Sequence, residues 1–218
     1  MHKPEVIQIV LQNRLVAILR LGDLRRASEL VRALIRGGVR AIEFTMTNPD
    51  TPRVVSELLM EIPEFVDGRA VLGIGSVRSI DEARVAIECG ANFLVSPTCL
   101  EPVIREAQLA EKAIFPGAFT PTEIALASQW GADIVKVFPA KSLGPDFIRD
   151  VMAPMPYLKL MPTGGVHLKN IQSYFQAGAV AVGLGGQFIQ SRWLEDENWP
   201  QIELAAREAT TLACSGGS

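Results

Sequence analysis

The chain has little histidine, with only His2 and His167 among its 218 residues. A catalytic metal centre built from several imidazoles is therefore not expected. Cysteine is also scarce. Cys89, Cys99 and Cys214 are odd in number and lack metal-ligand spacing, the usage of a chain in a reducing cytoplasm. No apolar stretch approaches the length of a membrane span. The start of the chain has no secretory pattern, because the apolar run 16–19 is short and lies between Arg14 and Arg20. There is no basic block to serve as a nucleic-acid footprint, and 21 Lys+Arg against 24 Asp+Glu leave a net charge of −3. These absences exclude most function classes. The expectation is a cytoplasmic protein acting on a small molecule, with no metal, cofactor, nucleic-acid partner or membrane.

Short apolar runs are what the chain has in quantity. Hydrophobic residues make up 48% of it and charged residues 21%, ordinary values for a globular protein. Its length favours one domain, residues 1–218, with residues 214–218 as a disordered tail. Strands are expected at 15–19, 41–45, 70–74, 93–96, 113–115, 134–138, 158–161 and 180–184. Amphipathic stretches alternate with them at 23–36, 51–61, 79–89, 101–111, 122–130, 145–152 and 168–177. A short helix at 4–11 precedes the first strand, and the last helix covers 195–212. Strands alternating with helices indicate a parallel sheet, and eight such units at this length indicate a (β/α)8 TIM barrel.

A weak repeat sets the register. The segments GGVRAIE, CGANFLV, WGADIVK and AGAVAVG each place a glycine before a strand: Gly38, Gly90, Gly131 and Gly178. A glycine there is a helix C-terminal stop. Five residues after each come Glu43, Val95, Lys136 and Gly183. Alternate strands of a (β/α)8 barrel contribute layers of four inward side chains, so Glu43 and Lys136 are expected in one layer. Gly183 would leave its quarter open for a ligand.

Three lysines compete for a chemical role. Lys141 lies beyond its strand and reads as a surface residue. Lys159 precedes Thr163 by four residues, on the order of 13 Å lower in the barrel at 3.3 Å per residue, and reads as a structural or outward-snorkelling side chain. Lys136 lies mid-strand in an apolar run. The simpler reading makes it the partner of Glu43 in an ion pair that fills the barrel. The chemical reading starts from desolvation, which disfavours the charged form of a lysine. A neutral amine attacks a carbonyl to give a Schiff base. The iminium then withdraws electrons and permits cleavage of a neighbouring C–C bond, with Glu43 as general acid and base.

The loops hold candidates for the rest of a ligand. PTGGV (162–166) and GLGGQ (183–187) follow the seventh and eighth expected strands, where many such barrels hold a phosphate. Glycine lets backbone N–H groups approach an anion closely. Arg20 ends the first strand and can hold an anion or form a surface salt bridge. Thr45 and Thr47 end the second strand, Gly73, Gly75 and Ser76 the third, and Pro97 follows the fourth. Phe138 shares strand parity with Lys136 and would wall the amine pocket. Thr120 or Thr122 reads as a helix cap, and Trp130, Trp193 and Trp199 read as packing residues.

The ordered set IEFTMTNPD, GIGSV, VSP, FPGAFTPTE, VKVFPA, PTGGV and GLGG, spanning about residues 16–189, resembles one family. This is the 2-keto-3-deoxy-6-phosphogluconate (KDPG) aldolases, also called 4-hydroxy-2-oxoglutarate (KHG) aldolases. The resemblance implies a (β/α)8 barrel, a homotrimer and class I chemistry on a 2-keto-4-hydroxy acid, giving pyruvate and a phosphorylated aldehyde. It puts the Schiff-base lysine on Lys136 and the acid/base on Glu43. It assigns substrate orientation to Thr163, phosphate-binding glycines to Gly164, Gly165 and Gly186, and an anion-binding arginine to Arg20. Some members have arginine at the position of Thr47, contacting the pyruvate carboxylate. Ser76 keeps the hydroxyl of a common threonine, and Gln187 replaces a common serine beside the phosphate. These departures bear on the aldehyde partner, not on the lysine chemistry. The alternatives are an aldolase for 2-keto-3-deoxy-6-phosphogalactonate or another 2-keto-4-hydroxy acid, and a non-catalytic phosphosugar-binding barrel.

Overall fold

The computed structural model describes residues 1–186 and 189–215; Gln187 and residues 216–218 of the expected tail lie outside them. The strands are β1 (Leu15–Leu19), β2 (Ala41–Thr45), β3 (Val71–Gly75), β4 (Phe93–Val95), β5 (Ala113–Phe115), β6 (Gly117–Ala118), β7 (Val135–Val137), β8 (Leu160–Pro162) and β9 (Val182–Leu184). All pairings are parallel. They form a curled six-stranded sheet in the order β5-β4-β3-β2-β1-β9 and a three-stranded sheet in the order β6-β7-β8. The expected fifth strand, 113–115, is β5, and a further short piece, β6, follows it after Pro116, which has no N–H for a ladder. At the other edge, Thr163 bridges to Gly183 and the Val180 N–H donates to the Leu160 carbonyl at 3.0 Å.

Strand parity divides the core. Val16, Ala41, Val71, Phe93, Val95, Ala113, Phe115, Ile134, Met161 and Ala181 form an inner cluster. Val6 and Val10 join it from the helix Lys3–Asn13, which plugs the N-terminal end of the strands. The alternate residues, among them Leu15, Ala17, Ile42, Phe44, Leu72 and Ile74, pack outward against the helices. Burial on both faces is why these strands read as continuous apolar runs.

Gly38, Gly90, Gly131 and Gly178 all have φ between 90° and 105°, the left-handed conformation that ends a helix where other residues are strained. Several helices start later than the periodicity suggests. Asp23 accepts from the Arg25 backbone N–H at 2.9 Å, a local turn that delays the second helix to Ala27–Arg36. The Asn170 side chain likewise takes the His167 N–H at 2.8 Å, and that helix covers only Ile171–Gln176. The expected tail is partly corrected: the last helix, Trp199–Ser215, includes Cys214 and Ser215. Thr120 is the cap, with its hydroxyl accepting from the Glu123 N–H at 3.3 Å. Trp130, Trp193 and Trp199 pack against the outer core.

Candidate active site

A cavity of about 430 Å³ opens at the C-terminal ends of the strands. Its walls include Arg20, Glu43, Thr45, Ser76, Pro97, Lys136, Phe138, Thr163, Gly164, Gly165 and Gly186, together with Ile18, Val166 and Gly185. Glu43 and Lys136 therefore face one interior from β2 and β7, as the glycine register requires. A cavity of similar volume, about 450 Å³, lies between the helices Ala27–Arg36 and Thr51–Glu61. Most of its charges are paired, Asp23 with Arg25, Arg53 with Glu57 and Glu61 with Arg32, and the remaining one, Asp50, is exposed to solvent, so among the described residues it holds no buried ionisable pair.

Lys136 is 6% exposed, and its Nζ stands over the Phe138 ring, 5.0 Å from the centroid. Lys141 and Lys159 are both exposed. Glu43 is 1% exposed, and among the described residues neither of its carboxylate oxygens has a hydrogen-bond partner. Burial pushes its carboxyl pKa up, against the opposing pull of the Lys136 and Arg20 charges. The ion pair of the simpler reading is not formed. Buried polar groups are normally paired, and an unpaired buried carboxyl beside a buried amine is a functional-site signature.

The rim differs from expectation at Thr47 and at Gly183. Thr47 is exposed and stands outside the cavity wall, with its hydroxyl 2.8 Å from that of Thr45. Thr45 is the threonine that lines the cavity, because it shares the inward parity of Glu43. The space at Gly183 is not open: a Cβ there would overlap the Thr163 hydroxyl and stand 2.9 Å from Ile18 Cδ1. Gln187 lies outside the described residues. Sequence reasoning missed Ile18 as a wall residue, although its inward parity would have found it.

Ser76 lines the cavity with φ +63°, a conformation that costs a non-glycine residue about 1–3 kcal/mol and tends to occur at functional sites. Gly164 (φ +81°) and Gly165 (φ +96°) make the turn after β8. That turn is fixed by the Lys141 N–H, which donates to the Gly164 carbonyl at 2.7 Å, and by the Asn170 side chain, which donates to the Gly165 carbonyl at 3.0 Å. The N–H groups of Gly165 and Gly186 donate to no protein acceptor among the described residues. Arg20 is exposed at the mouth and pairs with no carboxylate among them.

Such a site, two buried and mutually unpaired ionisable groups in a cavity rimmed by free donors, is that of an enzyme. Comparison with known proteins agrees. The family model for KDPG and KHG aldolase matches residues 6–205. A probable 2-dehydro-3-deoxy-6-phosphogalactonate aldolase of Rhizobium meliloti is 34% identical over 181 residues, 83% of this chain and 84% of that protein. A 2-dehydro-3-deoxy-phosphogluconate aldolase of Pseudomonas aeruginosa is 32% identical over 179 residues, 81% of this chain and 79% of that one. The KDPG aldolase structure of Legionella pneumophila, in which pyruvate was captured as a covalent carbinolamine, shares the fold. Its TM-score is 0.82 at 22% identity, over 97% of this chain and 98% of that one. The chain belongs to the KDPG and KHG aldolase family, and is an enzyme of the aldolase, or carbon–carbon lyase, kind.

Proposed function

We propose that the chain is a single-domain, closed (β/α)8 barrel, β5 and β6 counting as one strand, and a metal-independent class I aldolase. The barrel reading is supported by the contacts that join the two sheets through β5–β6 and through Thr163 and Gly183. The reaction is reversible cleavage of a 2-keto-4-hydroxy acid to pyruvate and an aldehyde. The observation that carries it is a buried lysine and a buried carboxyl left unpaired in one cavity.

The Lys136 amine attacks the C2 carbonyl, and loss of water from the carbinolamine gives the iminium. Glu43 carries the proton that leaves with that water and then takes the proton of the C4 hydroxyl. The C3–C4 bond breaks, its electrons pass into the iminium to give an enamine, and the aldehyde departs. Protonation at C3 and hydrolysis release pyruvate and the amine. The hydroxyls of Thr45 and Ser76 hold the carboxylate, with Thr47 aligning Thr45 from behind. Phe138 walls the amine, and Thr163 orients the substrate. Arg20, the Gly164–Gly165 turn and the N–H groups of Gly165 and Gly186 bind the phosphate end.

The substrate is 2-keto-3-deoxy-6-phosphogluconate, giving glyceraldehyde 3-phosphate, with 4-hydroxy-2-oxoglutarate, giving glyoxylate, as an unphosphorylated counterpart. The Rhizobium meliloti relative favours a second reading, the phosphogalactonate isomer. A homotrimer is part of the proposal; exposed apolar side chains at Val85, Leu100, Leu109 and Phe119, with Leu109 84% exposed, are surface that a partner copy would cover. A cytoplasmic location is supported by the three free cysteines; no described helix is long and apolar enough to cross a membrane. Borohydride reduction with pyruvate should fix a covalent adduct on Lys136. Lys136→Met should abolish it and lower kcat by roughly 10⁴- to 10⁶-fold, the scale of nucleophile loss in other enzymes. A wild-type enzyme that takes up no pyruvate under borohydride would end the reading.

A further inference from the structure

We infer that Gly75 is a positioning residue: the bare backbone at the end of β3 is the seat on which the Glu43 carboxylate rests, and a side chain there would move that carboxylate away from the reacting atoms. The inference rests on the reading of Glu43 as the proton carrier and adds the group that sets its place.

Gly75 has no need of glycine for its backbone. Its φ lies outside the left-handed region, and it pairs with Thr45 in a regular parallel ladder. What it provides is space. A Cβ built on Gly75 would overlap the Glu43 carboxylate, and the three heavy atoms it would meet first are all from the Glu43 side chain, Cγ at 2.7 Å among them. Register explains the encounter. Glu43 is level with Gly73, and Thr45 with Gly75. The Glu43 side chain therefore climbs along the inner wall toward the mouth and lies across the next inward position of β3. That position is level with Thr45 and adjoins Ser76, both of which line the cavity. The seat is apolar and offers no donor: both carboxylate oxygens lack hydrogen-bond partners among the described residues. Glu43 is thus located by packing and by no hydrogen bond among the described residues, and its proton is left for transfer rather than committed to a neighbour. The obstructed atoms are the far end of a flexible side chain facing a cavity. A methyl group on Gly75 would therefore displace the carboxyl into the cavity without breaking the fold.

The test is Gly75→Ala, compared in the wild-type and Glu43→Ala backgrounds. In the wild-type background kcat should fall about 100-fold, the scale of a misplacement of around 1 Å. KM should stay within about threefold, and the acid limb of the kcat–pH profile should move to lower pH as the carboxyl leaves its dry seat. In the Glu43→Ala background the same substitution should change the residual rate little, because nothing remains to displace. An equal loss in both backgrounds would overturn the inference, as would an unchanged kcat and pH profile. If Gly75→Ala fails to fold but Glu43→Ala/Gly75→Ala folds, the clash is with Glu43 and the inference stands. If neither folds, it falls. Failure of the aldolase reading shows separately, as wild-type Lys136 that borohydride and pyruvate leave unmodified. The seat is then decided by ¹³C NMR titration of the Glu43 carboxyl in Gly75→Ala against wild type: a lower titration midpoint supports it, and an unchanged one overturns it.

Discussion

Replacing Glu43 by glutamine should stabilise the fold at neutral pH and leave it unchanged in acid. Burial raises the carboxyl pKa above the ordinary value of 4.5, and the charges of Lys136 and Arg20 only partly offset this. Below pH 4.5 both folded and unfolded chains carry the proton, and glutamic acid and glutamine are near-isosteric there. As pH rises past that value the unfolded chain loses the proton first. The folded state then binds more protons than the unfolded state, so wild-type stability falls with pH. One proton sets the limit of the slope at about 1.4 kcal/mol per pH unit. The loss is complete once pH passes the folded-state pKa. Glutamine does not titrate, so Glu43→Gln minus wild type should grow from near zero at acid pH to a positive plateau. Urea melts of both proteins between pH 4 and pH 8 measure this difference directly. A flat difference would refute the desolvation argument. A wild type that gains on the variant as pH rises would reverse it, since the cations would then stabilise the anion by more than burial costs. The same variant should lose about 10²- to 10⁴-fold in kcat, the usual contribution of a general acid–base group.

Two other outcomes probe the mouth and the scaffold. Arg20→Ala removes an exposed cation unpaired among the described residues. It should raise KM for a 6-phosphorylated substrate roughly 10- to 100-fold, the worth of about 1.5–3 kcal/mol for a charged hydrogen bond. It should barely alter KM for 4-hydroxy-2-oxoglutarate; steady-state kinetics on both substrates checks this. Thr120→Ala removes the hydroxyl that caps Pro121–Gln129 and should cost about 1 kcal/mol. That lowers Tm by roughly 2–4 °C for a chain of this size, visible by calorimetry, with kcat unchanged.

Much of this fold can be read from the chain because its strands are buried on both faces. Apolar runs bounded by glycines locate each strand, and parity then says which side chains face inward. The same rule puts Glu43, Thr45 and Lys136 in one interior. It gives no guidance beyond a strand's end, and so Thr47, two residues past β2, reads as a wall residue and is not one. Helix starts at Ala27 and Ile171 were obscured because Asp23 and Asn170 take up local N–H groups. Gly183 misled for a different reason. A missing side chain can mean room for a ligand or room for a neighbour, and here Thr163 and Ile18 occupy it. Gly75 presents the same ambiguity, and only the path of the Glu43 side chain resolves it.

The separation of Lys136 and Glu43 carries more weight than their proximity. Two buried charges recover part of their desolvation cost only by closing to hydrogen-bond distance. A pair kept for stability would therefore close, and a pair with no other task would be replaced by apolar side chains at little loss. These two groups do neither. Lys136 lies over the Phe138 ring, and Glu43 rests across Gly75 with both oxygens unpaired among the described residues. Each is held by packing against a surface that cannot take its proton. The cost of burial is retained, and the amine and the carboxyl remain uncommitted across a cavity of about 430 Å³. Stability forgone at a site tends to be recovered as function. For this pair the matching function is one in which the amine must bond to carbon while the carboxyl moves a proton beside it.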